Sequence, residues 1–125
     1  MILVTGAAGK TGRAIIRAFV VKGEAVRALV YRSEQTRTVE ALGAQQVVVG
    51  DMRLQATMDR VAEGVRAIYH ICPNVSPDEV AIGRVAIAAA RSAGVEHLVY
   101  HSVLHPQVEA MPHHWQKLRV EEQLF

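Results

Sequence analysis

A repeated change of period constrains this chain more than any other feature. Short apolar runs rich in Val and Ile alternate with longer segments of helical spacing, and most of those segments stop at a glycine. The runs Ile2–Thr5, Ala25–Val30, Gln46–Val49, Ala67–Ile71 and His97–Val103 are bounded by Gly or polar residues and read as buried strands. Between them, Thr11–Lys22, Glu34–Leu42, Leu54–Glu63 and Pro77–Ala93 read as helices ahead of Gly23, Gly43, Gly64 and Gly94. A glycine just past a helix adopts positive φ without strain and ends it. Strands that are apolar throughout must be covered on both faces, so the pattern predicts a parallel sheet between two helical layers. Right-handed crossovers reduce the arrangements to a few. The expected fold is α/β: a Rossmann-type, doubly wound, three-layer α/β/α sheet of five strands in order 3-2-1-4-5.

Two helices carry finer signals. In "SPDE", Ser76 is expected at the N-cap, Pro77 at the first helical position and Glu79 closing a capping box. Ile82, Val85, Ala86 and Ala89 then form one apolar stripe. Leu54, Met58, Val61 and Ala62 do the same on the preceding helix. A last helix is expected from near Pro112, with Trp115, Leu118 and Leu124 as apolar contacts and Lys117–Glu121 as an i, i+4 ion pair.

Length and composition narrow the function classes. The 125 residues suffice for one domain, 1–125, with a single core. The net charge of +2 comes from basic residues scattered without a run, which argues against a nucleic-acid interface. The single cysteine, Cys72, forms no internal disulfide and suits a reducing cytoplasm. No apolar run reaches the roughly 18 residues of a membrane span. "MILVTG" lacks the basic start and apolar core of a signal peptide.

The expected switch point of such a sheet is the end of strand 1, and there the sequence reads "TGAAGKTG". GKT suggests a nucleotide-triphosphate P-loop, G-x-x-x-x-G-K-[ST]. The first glycine of that motif would fall on Val4, inside the strand, so the spacing rejects it. The glycines present are Gly6, Gly9 and Gly12. One permits the turn out of the strand, one admits a pyrophosphate, and one packs the helix on the sheet. With Ala8, Lys10 and Thr11 they form a candidate phosphate cradle, its N–H groups reinforced by the helix N-terminus.

The end of strand 2 then chooses the dinucleotide. NAD(H) sites place a carboxylate there for the ribose 2′-OH, whereas "LVYRSE" places Arg32. A guanidinium grips a 2′-phosphate in bidentate fashion, so NADP(H) is expected over NAD(H). In "GDM", Asp51 is a candidate acceptor for the adenine amino group and Met52 a surface for the ring. In "HICP", Cys72 and Pro73 would pass beneath the cofactor. Without a basic partner, Cys72 reads as a small buried hydrophobe rather than a redox thiol. Five histidines, His97, His101, His105, His113 and His114, fall in the last third. Their spacing gives no ligand pair on a helix and no cysteines accompany them, so no metal site is assigned.

"TGAAGKTG", "ALVYR", "GDM", "SPDEVAIGRVAIAAARSAGVEHLVYHSV" and "HHWQKLRVEEQL" together resemble the NmrA-like family, an atypical branch of the short-chain dehydrogenase/reductases. The resemblance implies a Rossmann domain followed by a smaller substrate-binding portion. It also implies NADP(H) or NAD(P)H binding, and either reductase activity, on quinones for example, or redox-sensing regulation through a protein partner. The superfamily's Ser and Tyr-x-x-x-Lys map onto Ser102, His113 and Lys117, with Lys117 holding the nicotinamide ribose. His113 stands where the family has tyrosine, which puts alcohol dehydrogenation in doubt. Family members continue beyond Phe125, so the expectation is a C-terminally truncated domain, impaired in catalysis, whose exposed strand 5 edge favours a homodimer.

Overall fold

The computed structural model describes residues 1–125. Its centre is β1, Ile2–Val4, which pairs in parallel with β2, Val26–Val30, on one side and β4, Ala67–His70, on the other. β3, Gln46–Val49, adds beyond β2, and β5, His97–Tyr100, beyond β4. All four pairings are parallel, and the order is β3-β2-β1-β4-β5, as the crossover argument requires.

Successive side chains of a strand point to opposite faces, and β1 shows the division directly. Leu3 joins Leu29, Ile68, Met58, Val61, Ala86 and Ala89 in the core beneath α3, Gln55–Ala62, and α4, Glu79–Ser92. Val4 joins Ala28, Val30, Ile16 and Val39 beneath α1, Lys10–Val21, and α2, Thr36–Glu40. Leu3 and Val4 are both fully buried, and each such aliphatic side chain contributes about 1.5–3 kcal/mol by leaving water. The final helix, α5, Pro112–Glu121, lies against α4, with Val120 seated on Gly83. No helix is long and apolar enough to cross a membrane. The four expected glycine stops all have positive φ.

Several boundaries differ from the sequence expectation, each for a local reason. The segment after β2 is a 3-10 turn, Ser33–Gln35, followed by the short α2, because the Gln35 side chain folds back to accept the N–H groups of Tyr31 and Arg32. Leu54 is the exposed N-cap of α3, not part of its apolar stripe. β5 ends at Tyr100, after which His101 gives its N–H to the His70 carbonyl and the chain leaves the sheet. α4 begins at Glu79, with Asp78 as N-cap, while Ser76 only accepts the Asp78 N–H in a turn. Glu79 closes no capping box. Its carboxylate is buried and takes Lys117, so the expected Lys117–Glu121 pair does not form.

Candidate cofactor-binding site

At the carboxyl end of the sheet, the first polar side chain after β1 is Thr5. It is fully buried and ties the ends of β1 and β4 together. Its Oγ1 accepts the Ile71 N–H at 2.9 Å and donates to the Ile71 carbonyl at 3.1 Å. With that hydroxyl proton spent, the 2.9 Å contact to His70 Nδ1 requires Nδ1–H to donate. His70 Nε2 is then the bare nitrogen, and it is buried without a partner.

Thr5 thereby anchors the glycine loop. Gly6 has φ of 58°, and a Cβ there would lie 2.8 Å from the Ile71 carbonyl oxygen. Gly12 is tighter: a Cβ would fall 2.3 Å from the Gly6 oxygen and 2.8 Å from Ala7 Cα. α1 therefore stands directly on the loop, as the third-glycine argument requires. Gly9 is its N-cap, and no side chain caps it. The N–H groups of Lys10, Thr11 and Gly12 find no backbone acceptor. Unpaired donors at a helix N-terminus, reached through glycines, form a cradle for a phosphate oxyanion.

The cradle opens into a groove of about 900 Å³ that crosses the ends of all five strands. Gly6, Ala8, Gly9, Lys10, Thr11 and Gly12 line its middle. Tyr31, Gln35, Asp51, Met52 and Arg53 line the β2–β3 end, and Cys72, Pro73, His101, Ser102 and Lys117 the β4–β5 end. Its size and chemistry suit a dinucleotide: phosphate donors in the centre and the apolar Met52 side chain at the β2–β3 end. Two expected residues are not in the lining. Arg32 is exposed at the rim of the β2 end and its side chain makes no hydrogen bond or ion pair. His113 is half-buried on α5 with its ring 4.5 Å from that of His114, outside the groove.

The remaining expected residues have partners that the sequence does not reveal. The Asp51 carboxylate is held by Arg53 through both oxygens, at 2.7–3.0 Å. This guanidinium holds the carboxyl below the usual carboxylate range. Ser102 gives its hydroxyl proton to Glu121. Cys72 is buried, and burial followed by the nearby Glu79 charge pushes its thiol up, so it stays protonated. Lys117 is also buried: its ammonium donates to Glu79 at 2.8 Å and to the His101 carbonyl at 3.3 Å. Tyr100 donates to the same Glu79 oxygen, and burial together with that carboxylate pushes its phenol up. No group of three or more His, Cys, Asp or Glu side chains converges as a metal site.

Sequence reasoning missed Glu79, Tyr100, His70 and Arg53. Glu79 had a legible signal, since it lies three residues before Ile82 and seven before Ala86, on the buried stripe of α4.

His70 makes stability depend on pH. Burial lowers its pKa from 6.5 to about 4, with Glu79 opposing the shift and Lys117 adding to it. The unfolded chain binds this proton below about pH 6.5, the folded chain only below about pH 4. The unfolded state holds more protons in that window, so stability falls as pH drops through it, by about 3 kcal/mol in all. Urea unfolding at stepped pH should show this loss, and His70→Gln should flatten it.

Comparison with known proteins agrees with this fold. The NmrA-like family matches residues 1–124. The NAD(P)H azoreductase of Xenophilus azovorans is 34% identical over 99 residues, which is 79% of this chain and 34% of that protein. The (4-alkanoyl-5-oxo-2,5-dihydrofuran-3-yl)methyl phosphate reductase of Streptomyces griseus is 41% identical over 104 residues, 83% of this chain and 35% of that protein. Among solved structures, the Escherichia coli NADPH-dependent quinone oxidoreductase complexed with NADPH superposes with a TM-score of 0.84 at 25% identity. The match covers 99% of this chain and 44% of that one. A short-chain dehydrogenase/reductase superfamily protein of Agrobacterium tumefaciens with bound NAD gives 0.80 at 28%, over 99% and 44%. The chain thus spans about a third of the curated relatives' length. It belongs to the NmrA-like family.

Proposed function

We propose that this chain is the NADP(H)-binding domain of an NmrA-like oxidoreductase of a reducing cytoplasm. The observation that carries the reading is the uncapped N-terminus of α1, set on a loop where Gly6 and Gly12 leave no room for a Cβ. Such a cofactor supplies a hydride when bound. The N–H groups of Lys10, Thr11 and Gly12 would hold its pyrophosphate. Met52 would pack on the adenine, with the Asp51–Arg53 fork beside it. Lys117 would meet the nicotinamide ribose, and Cys72 and Pro73 would form the floor.

Arg32 is assigned to the 2′-phosphate. Its guanidinium is free of protein partners and stands at the rim beyond Gln35, which fixes the turn that carries it. Similar structures hold NADPH in one case and NAD in another, so the fold admits either, and we assign the preference in this chain to Arg32. Arg32→Asp removes a charge-assisted fork and adds a like charge, and should shift the NADPH-to-NADH affinity ratio by about 100-fold. Calorimetric titration with each cofactor checks it, and an unchanged ratio removes Arg32 from the site.

A second reading, an NADP(H) sensor acting through a protein partner, is favoured by one specific observation. His113 does not line the groove and the Ser102 hydroxyl is given to Glu121, so the three residues that the superfamily resemblance implies do not meet in the groove. NADPH oxidation with a panel of quinones separates the readings: turnover supports the reductase, and saturable binding without turnover the sensor. In either case we assign self-association to the β5 edge, where Val99 is 48% exposed. A monodisperse monomer at high concentration in light scattering would contradict this.

A further inference from the structure

The β4–β5 end of the groove contains a buried charge pair that packing alone does not explain. Glu79 and Lys117 are 2% and 8% exposed and lie 2.8 Å apart. Removing two charges from water is costly, and a well-packed apolar pair in their place is often as stable or more so. Lys117 nevertheless faces the groove, whereas Glu79 lies behind it, on the first turn of α4.

The hydrogen bonds indicate what the arrangement does. An ammonium has three donors. Two are used at 2.8 Å on Glu79 and 3.3 Å on the His101 carbonyl, and the third reaches the Tyr100 oxygen at only 3.5 Å. Tyr100 in turn gives its proton to the Glu79 oxygen that Lys117 uses. The carboxylate is therefore fixed from β5 by a phenol and fixes the ammonium from α5. The longest of the three ammonium bonds is the one a groove ligand would capture. His70, stacked on Tyr100 at 6.0 Å, is neutral and closes the cluster on the sheet side without competing for the carboxylate.

We propose that Glu79 is the positioning residue for the nicotinamide half of the cofactor: with Tyr100 it holds the Lys117 ammonium at the groove wall with one donor left for the ribose hydroxyls. The inference rests on the NADP(H) reading above. It assigns the placement of Lys117 to Glu79 on α4 and Tyr100 on β5.

The test compares affinity for NADPH with affinity for 2′,5′-ADP, which carries the adenosine half and lacks the nicotinamide ribose. Losing one charge-assisted hydrogen bond weakens binding by about tenfold or more. Glu79→Gln should therefore weaken NADPH by about that factor and leave 2′,5′-ADP within about twofold. Lys117→Met should do the same, and the double variant should bind no more weakly than either single one, because the two act as one unit. Glu79→Asp keeps the charge and draws the carboxylate back by one methylene. It serves where the glutamine variant fails to fold, with a smaller loss of NADPH alone. A folded Glu79 variant that keeps wild-type NADPH affinity, or loses 2′,5′-ADP in the same proportion, overturns the inference and leaves the pair a structural strut. Wild-type protein that binds both ligands, with an NADPH affinity that Glu79 substitution does not change, refutes only this proposal. Protein that binds neither ligand refutes the NADP(H) reading together with it.

Discussion

Gly12→Ala abolishes NADPH binding and lowers the stability of the fold by about 3 kcal/mol. The added Cβ would sit 2.3 Å from the Gly6 oxygen and 2.8 Å from two Ala7 atoms. All of these are backbone, so no flexible side chain can swing away. Relief requires α1 to lift off the loop, and the N–H groups of Lys10, Thr11 and Gly12 then no longer converge. The size of the effect follows from where the clash falls. Gly9 has only one contact inside 4 Å, to the Gly6 oxygen at 3.3 Å. Gly9→Ala should therefore fold almost normally and weaken NADPH only where its methyl meets the pyrophosphate. Chemical denaturation and cofactor titration of the two variants side by side separate a scaffold glycine from a ligand-facing one. Equal stability of the two would show that α1 does not rest on the loop as described.

Glu79→Ala destabilises the protein by about 3–5 kcal/mol, because Lys117 is left as an unpaired buried charge. The Tyr100 hydroxyl loses its acceptor in the same step. Replacing both members, Glu79→Leu with Lys117→Met, should recover most of that loss, since the desolvation cost disappears with the charges. The coupling is the measured quantity: the double variant should be more stable than Glu79→Ala by several kcal/mol. Urea midpoints of the three proteins provide it. If the single and double variants are equally unstable, the pair is not the isolated buried couple that 2% and 8% exposure imply.

The layers and strand order were legible because they depend on features that survive without tertiary context. Apolar runs too continuous for a half-exposed sheet demand two covering layers, and right-handed crossovers then leave 3-2-1-4-5. The glycine loop was legible for the same reason, since a strand end followed by G-x-x-G-x-x-G and a helix start has few physical readings. The β4–β5 end was not. Lys117 and Glu79 are 38 residues apart, and Tyr100 meets both only after α5 folds back over α4. Two local rules also pointed away from the outcome. The S-x-x-E spacing assigned Glu79 to a capping box, and the i, i+4 rule gave Lys117 to Glu121. Each describes an exposed helix surface, and burial overrode both. At the β2–β3 end, Arg53 lies two residues from Asp51, and only the fold shows its guanidinium turned back on that carboxylate. The two residues satisfy each other, whereas Arg32 stays free.

The central claim is that α1 and its glycine loop hold the pyrophosphate of NADP(H). Amide-resolved NMR titration of the protein with NADPH tests it most directly. The account predicts saturable shifts centred on the N–H groups of Gly9, Lys10, Thr11 and Gly12, with a second cluster around Arg32, and a weaker response to NADH. The claim is contradicted if NADPH leaves these amides unmoved, or if the shifts gather elsewhere on the protein.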